Sequence, residues 1–140
     1  MTEPRIEHIN ITVKDSMQTA KLLVQLFDWR IRWQGEAIYG GFSVHVGGKD
    51  SYVALYTHPN SLNPESDSYT SVNGFNHLGI VVDDLDATEK KVLNAGFKTH
   101  SHADYEPGRR FYFDDSEGLG IEVISYATLV SWITANCKSN

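Results

Sequence analysis

The sequence has a single cysteine, Cys137, among its 140 residues. One cysteine cannot form an internal disulfide, and it cannot supply the group of thiolates that a cysteine-ligated metal requires. Scarce cysteine is typical of proteins kept in a reducing compartment. We therefore expect a cytoplasmic protein whose stability comes from its hydrophobic core rather than from cross-links.

Basic residues and long apolar runs are also scarce. Lys and Arg total 12 against 18 Asp and Glu, the formal net charge is −6, and no basic run is longer than a pair. Nucleic acid and anionic membranes are therefore poor candidates as partners. No stretch approaches the roughly 18 consecutive apolar residues of a membrane span. The N-terminus also lacks the basic-then-apolar pattern of a signal peptide, so we expect neither export nor a membrane-spanning segment.

Residues 5–58 carry the pattern of a strand, a helix and three further strands. Apolar residues alternate up to Val13, and then recur at helical spacing after a predicted N-cap at Asp15 or Ser16. Short β-rich pieces separated by glycines follow near residues 30–34, 42–46 and 52–57. Residues 59–73 are rich in Pro, Asn and Ser without any period, which predicts a linker.

The pattern then repeats at an offset of 69 positions, which places His8 on His77 and Asp15 on Asp84. The second module spans residues 74–126, with a helix predicted near 85–95 and strands near 97–102, 110–114 and 120–125. Residues 127–140 are predicted to form a C-terminal helix or tail. Since neither module can close a core alone, we predict one α+β domain over residues 1–140, with two tandem βαβββ modules pairing mixed sheets around a concave site.

Side-chain alternation predicts which residues face this concavity. Ile9, Ile11 and Val13 should face the helix of the first module, which leaves His8 on the opposite face. The same reasoning places His77 and Glu122 on the concave face of the second module. A carboxylate buried without a partner is costly, so Glu122 should have one elsewhere in the chain.

Two imidazoles and one carboxylate are donors that suit a divalent metal with open coordination positions. A single histidine on a strand is more often a hydrogen-bonded structural residue. The repeat favours the metal interpretation, because His8 and His77 occupy equivalent positions and Glu122 has matching parity. We therefore predict one divalent ion, Fe, Ni, Zn, Mn or Co, bound by His8, His77 and Glu122.

Three stretches of the sequence resemble the vicinal oxygen chelate superfamily, which includes glyoxalase I, extradiol dioxygenases and bleomycin resistance proteins. "IEHINITVKD" and "FNHLGIVVDD" resemble the ligand-bearing first strands of its two modules, and "FDDSEGLGIEV" resembles its closing turn and strand. The resemblance implies a glyoxalase-like fold, with His8, His77 and Glu122 as metal ligands. It also implies a small-molecule substrate bound through two adjacent oxygens, and a homodimer.

The resemblance leaves the reaction open. Glyoxalase I-like members take a fourth ligand from the last strand of the first module, where this chain has Ala54. Three ligands resemble extradiol dioxygenases, whose signature has a tyrosine ten residues before the ligand Glu, as Tyr112 stands before Glu122. Ser116 stands where that signature has proline. The candidates are a metal-dependent lyase or isomerase and an extradiol-type dioxygenase, with Tyr112 and Glu122 catalytic; the alternative is a non-catalytic drug-binding protein.

Other side chains have both functional and structural interpretations. Arg110 has concave parity, so its guanidinium could bind a carboxylate or phosphate of the substrate, although loop arginines are usually solvated. Tyr112 could instead be a cross-strand packing residue. Trp33 is predicted to lie in the core or in a dimer contact rather than in a stacking platform.

Overall fold

The computed structural model describes residues 3–126 and divides the chain into two compact units, Met1–Glu65 and Ser66–Asn140. Within the described residues, each unit contains a strand, a helix and three strands, which confirms the predicted tandem βαβββ organisation. The elements of the first unit are β1 (His8–Thr12), α1 (Ser16–Phe27), β2 (Arg30–Glu36), β3 (Phe42–Gly47) and β4 (Tyr52–Thr57). Those of the second are β5 (Leu78–Val81), α2 (Leu85–Asn94), β6 (Thr99–Tyr105), β7 (Gly108–Asp114) and β8 (Gly120–Tyr126).

The two sheets have the same topology. The strand order is β1-β4-β3-β2 in the first unit and β5-β8-β7-β6 in the second. The first strand of each unit runs parallel to the last, and the other pairings are antiparallel. A parallel pairing needs a crossover connection, and the helix and the two following strands supply it.

Each sheet buries one face under its own helix. In the first unit Leu23 and Leu26 of α1 are buried with the aliphatic residues of β3 and β4. In the second unit Val92 of α2 is buried with Phe111 and Phe113 of β7. This period-2 burial leaves the opposite face of each sheet to polar and aromatic side chains, and those side chains form the candidate site.

Both helices begin at an aspartate N-cap, and the two aspartates are equivalent in the repeat. The Asp15 carboxylate accepts a hydrogen bond from the Gln18 amide at 3.1 Å, and that of Asp84 accepts from the Ala87 amide at 3.0 Å. Such caps satisfy backbone donors that the first helical turn leaves without partners. Asp15, rather than Ser16, is therefore the cap of α1, since Ser16 is its first helical residue.

Some boundaries differ from the predicted ones. β1 begins only at His8, and Ile9 is 41% exposed because α1 packs mainly on β3 and β4, away from this edge strand. The predicted linker contains a 3-10 turn at Ser68–Thr70. The predicted C-terminal helix lies outside the described residues. Within residues 3–126, neither helix has the length and apolar character needed to cross a bilayer.

Candidate functional site

The second unit brings two of the predicted ligands, His77 and Glu122, into contact. Glu122 lies on β8 beside β5, and His77 directly precedes β5. The Nε2 atom of His77 is 3.0 Å from Oε2 of Glu122. The side chain of Glu122 is 13% exposed and that of His77 is 31% exposed, so the pair is reached by solvent mainly from the histidine side.

Glu122 also has a cationic partner, Arg110. An N–H of the Arg110 guanidinium donates to Oε1 of Glu122 at 2.8 Å, and Arg110 is only 8% exposed. The expectation of a solvated loop arginine was therefore wrong, since Arg110 lies buried on β7. Glu122 has partners, as predicted for a buried carboxylate. Because Arg110 and His77 are those partners, the burial of Glu122 does not by itself require a metal.

Arg110 is held by the turn between β6 and β7. Its second terminal nitrogen lies 3.3 Å from three carbonyl oxygens, those of Tyr105, Glu106 and Gly108. The guanidinium carbon lies 3.9 Å from the centre of the Tyr105 ring, which adds a cation–π contact. The guanidinium thus approaches Glu122 from a fixed direction.

Tyr112 lies directly across the β7–β8 pair from Glu122, on the face that parity predicts. Its ring meets His77 edge-on, with ring centres 5.4 Å apart. Burial raises the pKa of the Tyr112 hydroxyl above its ordinary value, and the charge of Glu122 and a hydrogen bond to it add to the rise. At neutral pH Tyr112 is therefore a hydrogen-bond donor rather than a phenolate.

A bulge in β6 separates two histidines that would otherwise share a face. The register shifts between His100 and Ala103, and Ser101 has φ +56°. His100 lies opposite Tyr112, with ring centres 6.2 Å apart. His102 instead contacts Glu89 of α2, with Nε2 2.6 Å from Oε2. The bulge thus directs His102 to the helix side, away from the face that carries Glu122.

His8, the third predicted ligand, lies on the first unit. Its Nδ1 is 2.9 Å from Oε1 of Glu7, and its ring stacks on Tyr52 at 4.8 Å between ring centres. The bond to His8 is the largest cause that lowers the pKa of Glu7 below its ordinary value. Because a carboxylate only accepts, Nδ1 carries the proton when His8 is neutral, and Nε2 keeps a free lone pair.

The ring of His8 begins a row that crosses all four strands of its sheet. Tyr52, His45 and Trp33 follow, with ring centres 4.7 Å apart from Tyr52 to His45 and 5.0 Å from His45 to Trp33. Desolvation by burial lowers the pKa of His45, and the neighbouring charges of His8 and Arg32 lower it further. We call these four residues the ring row.

Trp33 ends the ring row and is 49% exposed, so it is not a core residue. A methyl group added at Gly35 would come within 2.8 Å of the indole. The absence of a side chain at Gly35 therefore lets the indole lie against its own strand. The contact of Trp33 with His45 was not predicted from the sequence.

The strand registers explain how the two sheets differ. Asn10 pairs with Ala54 in the first sheet, and Gly79, its repeat equivalent, pairs with Glu122 in the second. Ala54 therefore occupies the position equivalent to Glu122. The first sheet accordingly offers one predicted ligand, His8, and the second offers two.

The donors of the second unit fit a divalent ion. Two ligand atoms each about 2.1 Å from one ion and at right angles to each other lie about 3.0 Å apart, which is the separation of His77 Nε2 and Glu122 Oε2. Within either unit, over residues 3–126, no three His, Cys, Asp or Glu side chains are grouped so that they could hold a metal. The predicted triad draws on both units, so it stays a prediction.

Sequence reasoning missed the side chains that contact the predicted ligands. Arg110 and Glu7 contact the predicted ligands, and the hydroxyl of Tyr69 lies 3.4 Å from Nδ1 of His77. Tyr69 falls in the segment interpreted as a linker without motifs. Strand parity placed Arg110 on the same face as Glu122 but did not predict their contact. Two residues on one face make contact only if their side chains extend toward each other.

A family model describes most of the chain. The model of the "Glyoxalase/Bleomycin resistance protein/Dioxygenase superfamily" matches residues 5–123. The chain belongs to this superfamily. The match covers both βαβββ units and includes His8, His77, Tyr112 and Glu122. No curated protein matches the chain.

Solved structures of the superfamily share the fold at low identity. A glyoxylase/bleomycin resistance protein/dioxygenase domain from Frankia sp. EAN1pec has a TM-score of 0.74 and 19% identity, over 89% of this chain and 99% of that one. The antibiotic-binding protein TnmS3 from Streptomyces sp. CB03234 gives 0.66 and 17%, over 90% and 98%. A mutant of the fosfomycin resistance protein FosX from Listeria monocytogenes, complexed with Mn(II) and 1S,2S-dihydroxypropylphosphonic acid, gives 0.67 and 15%, over 94% and 99%.

Proposed function

We propose that this chain is a metal-dependent enzyme of the superfamily, which binds one divalent ion through His8, His77 and Glu122. The substrate is a small molecule that presents two adjacent oxygens. The observation that carries the proposal is the 3.0 Å separation of His77 Nε2 and Glu122 Oε2, on the partly exposed side of an otherwise buried carboxylate. The Mn(II) complex of the FosX structure supports a metal role for this fold.

A bound divalent ion would act as a Lewis acid that stabilises negative charge on a substrate oxygen. The chain's own residues would supply orientation and hydrogen bonds. Tyr112, protonated at neutral pH and hydrogen-bonded to Glu122, would donate to a substrate oxygen near His77 in place of that bond. Both oxygens of Glu122 have partners, Arg110 and His77, which favours a ligand role over release as a general base.

Two reactions are the leading candidates, and one experiment separates them. The protein is reconstituted anaerobically with Fe, Mn, Ni, Co or Zn, and then assayed for oxygen uptake with catechols and for isomerisation of hemithioacetals. We expect metal-dependent turnover in one of these assays. Tyr112→Phe should lower it by about 10²-fold, because the variant removes a donor that serves developing negative charge.

Tyr126→Phe is the matched control for this loss, since Tyr126 is 61% exposed at the end of β8. It should leave turnover unchanged. Absence of both activities in every reconstituted form would contradict the proposed enzyme class while leaving the fold assignment intact.

A second candidate function, non-catalytic binding of a small aromatic molecule, is favoured by the ring row. Trp33 is 49% exposed, and its indole lies against Gly35. TnmS3, which shares the fold, is described as an antibiotic-binding protein. This candidate predicts that metal-free protein binds planar aromatic compounds and that Trp33→Ala abolishes the binding. The enzyme proposal predicts that binding of an oxygenated substrate depends on the metal.

We propose a homodimer in the cytoplasm, in line with the resemblance and with the single cysteine. Sedimentation velocity measures the assembly directly, and a species with the mass of one chain at micromolar concentration would contradict the dimer.

A further inference from the structure

We infer that Arg110 is a positioning residue for Glu122. It binds one carboxylate oxygen and thereby leaves the other oxygen facing His77. This inference deepens the proposed metal site and rests on it for its role, but the contacts themselves are between residues of this chain. It concerns one contact between neighbouring strands of a single sheet, Arg110 on β7 and Glu122 on β8.

Three kinds of contact fix the guanidinium. The carbonyls of the β6–β7 turn accept from one terminal nitrogen, Tyr105 covers a face of the group, and Oε1 of Glu122 accepts from the other terminal nitrogen at 2.8 Å. Among the described residues, the buried Nε of Arg110 has no hydrogen-bond partner. The guanidinium is therefore placed by its terminal nitrogens and by the ring, at the cost of one unsatisfied donor.

This fixed guanidinium restricts the carboxylate. A glutamate side chain has three rotatable bonds, and the last of them is broad, so a free carboxylate would present either oxygen in many directions. With Oε1 bound to Arg110, Oε2 points to Nε2 of His77 at 3.0 Å. Oε2 of Glu122 is thus oriented to coordinate a metal. Hydrogen-bond partners of a carboxylate ligand, such as Arg110 here, commonly have a large effect on its affinity for the metal.

The adjacent arginine provides a matched control in the same strand. Arg109 points to the other face of β7, where it donates to Asp86 of α2 at 2.9 Å. Both side chains of that pair are more than half exposed, at 56% and 69%. Its removal tests the loss of an arginine from β7 without touching Glu122.

The first experiment needs no metal. An ionised carboxylate only accepts hydrogen bonds, so a neutral His77 that is hydrogen-bonded to Glu122 through Nε2 must carry its proton on Nε2. Long-range ¹⁵N–¹H NMR spectra at pH 8 report which nitrogen carries the proton. We expect the Nε2–H tautomer of His77 in the wild type and in Arg109→Met. In Arg110→Met the carboxylate is free to turn, and a mixture of both tautomers is expected. An unchanged His77 tautomer in folded Arg110→Met would overturn the inference.

The second experiment measures Mn²⁺ affinity by isothermal titration calorimetry. Loss of such a partner typically weakens metal binding about 10- to 100-fold, so Arg110→Met should raise the Kd by that factor. Arg109→Met should change the Kd less than about twofold. Arg110→Lys keeps the charge but loses the planar fork, so an intermediate Kd is expected.

These measurements separate a positioning role from a purely structural one. If Arg110→Met does not fold, Arg110→Lys carries the test, and a Kd and tautomer equal to those of the wild type would overturn the inference. If the wild type binds no divalent metal, the proposed function fails, and the tautomer of His77 still decides whether Arg110 positions Glu122. Equal losses in Arg109→Met and Arg110→Met would indicate a general effect on the sheet and would also overturn it.

Discussion

Glu122→Leu is expected to lower the free energy of unfolding by about 3–5 kcal/mol, because it leaves a buried guanidinium without its anion. Arg110 is 8% exposed, and Glu122 is the carboxylate it contacts, at 2.8 Å. The carbonyls of the β6–β7 turn would still bind the guanidinium but cannot offset its charge. Urea denaturation followed by circular dichroism measures the loss.

The double variant Arg110→Met/Glu122→Leu separates the value of the ion pair from the penalty of breaking it. Replacing both partners by apolar residues of similar size is often neutral or stabilising. We therefore expect the double variant to be more stable than Glu122→Leu and close to the wild type. The exposed Arg109–Asp86 pair is the control, and Asp86→Asn should cost less than about 1 kcal/mol. A loss below about 1 kcal/mol in Glu122→Leu would show that Arg110 does not depend on this carboxylate.

Phe113→Ala is the second large effect, with an expected loss of about 3–5 kcal/mol in the free energy of unfolding. Phe113 is fully buried under α2 and its ring centre is 5.8 Å from that of Phe97. Truncation to alanine removes that apolar contact and leaves a cavity that the sheet cannot fill.

Tyr126→Ala is the control for Phe113→Ala, since Tyr126 is an aromatic strand residue that is 61% exposed. It should lower the free energy of unfolding by less than about 1 kcal/mol, the usual range for a surface position. Equal losses in the two variants, measured in the same urea titration, would contradict the assignment of Phe113 to the core.

Much of the fold could be predicted because its signals are periodic and local. Within residues 3–126, alternation and helical spacing located every strand and both helices to within a few residues. The repeat of His8 on His77 indicated two equivalent units. The N-caps Asp15 and Asp84 act within one helical turn, so local sequence specifies them. The prediction that Ile9 packs against the helix was wrong, because a helix buries only the strands that it crosses. The sequence does not show which strands those are.

The surroundings of the predicted ligands could not be predicted, since they depend on side-chain directions and on irregular backbone. The β6 bulge turns His102 toward α2, and a pattern of strict alternation cannot place such a bulge. Arg110 reaches Glu122 because a tight turn offers carbonyls at the right distance. The sequence predicted that Glu122 has a partner, but it could not show whether that partner is an arginine or a metal ion.

We propose that His8, His77 and Glu122 hold one divalent ion, and the metal content of the protein tests this claim. Protein reconstituted with excess metal is desalted and analysed by inductively coupled plasma mass spectrometry. The claim predicts about one ion per chain in the wild type and almost none in His8→Ala or His77→Ala. His58 is not a predicted ligand, so the control variant His58→Ala should also bind about one ion per chain. A wild type without metal under these conditions, or full occupancy in either of the two histidine variants, would contradict it.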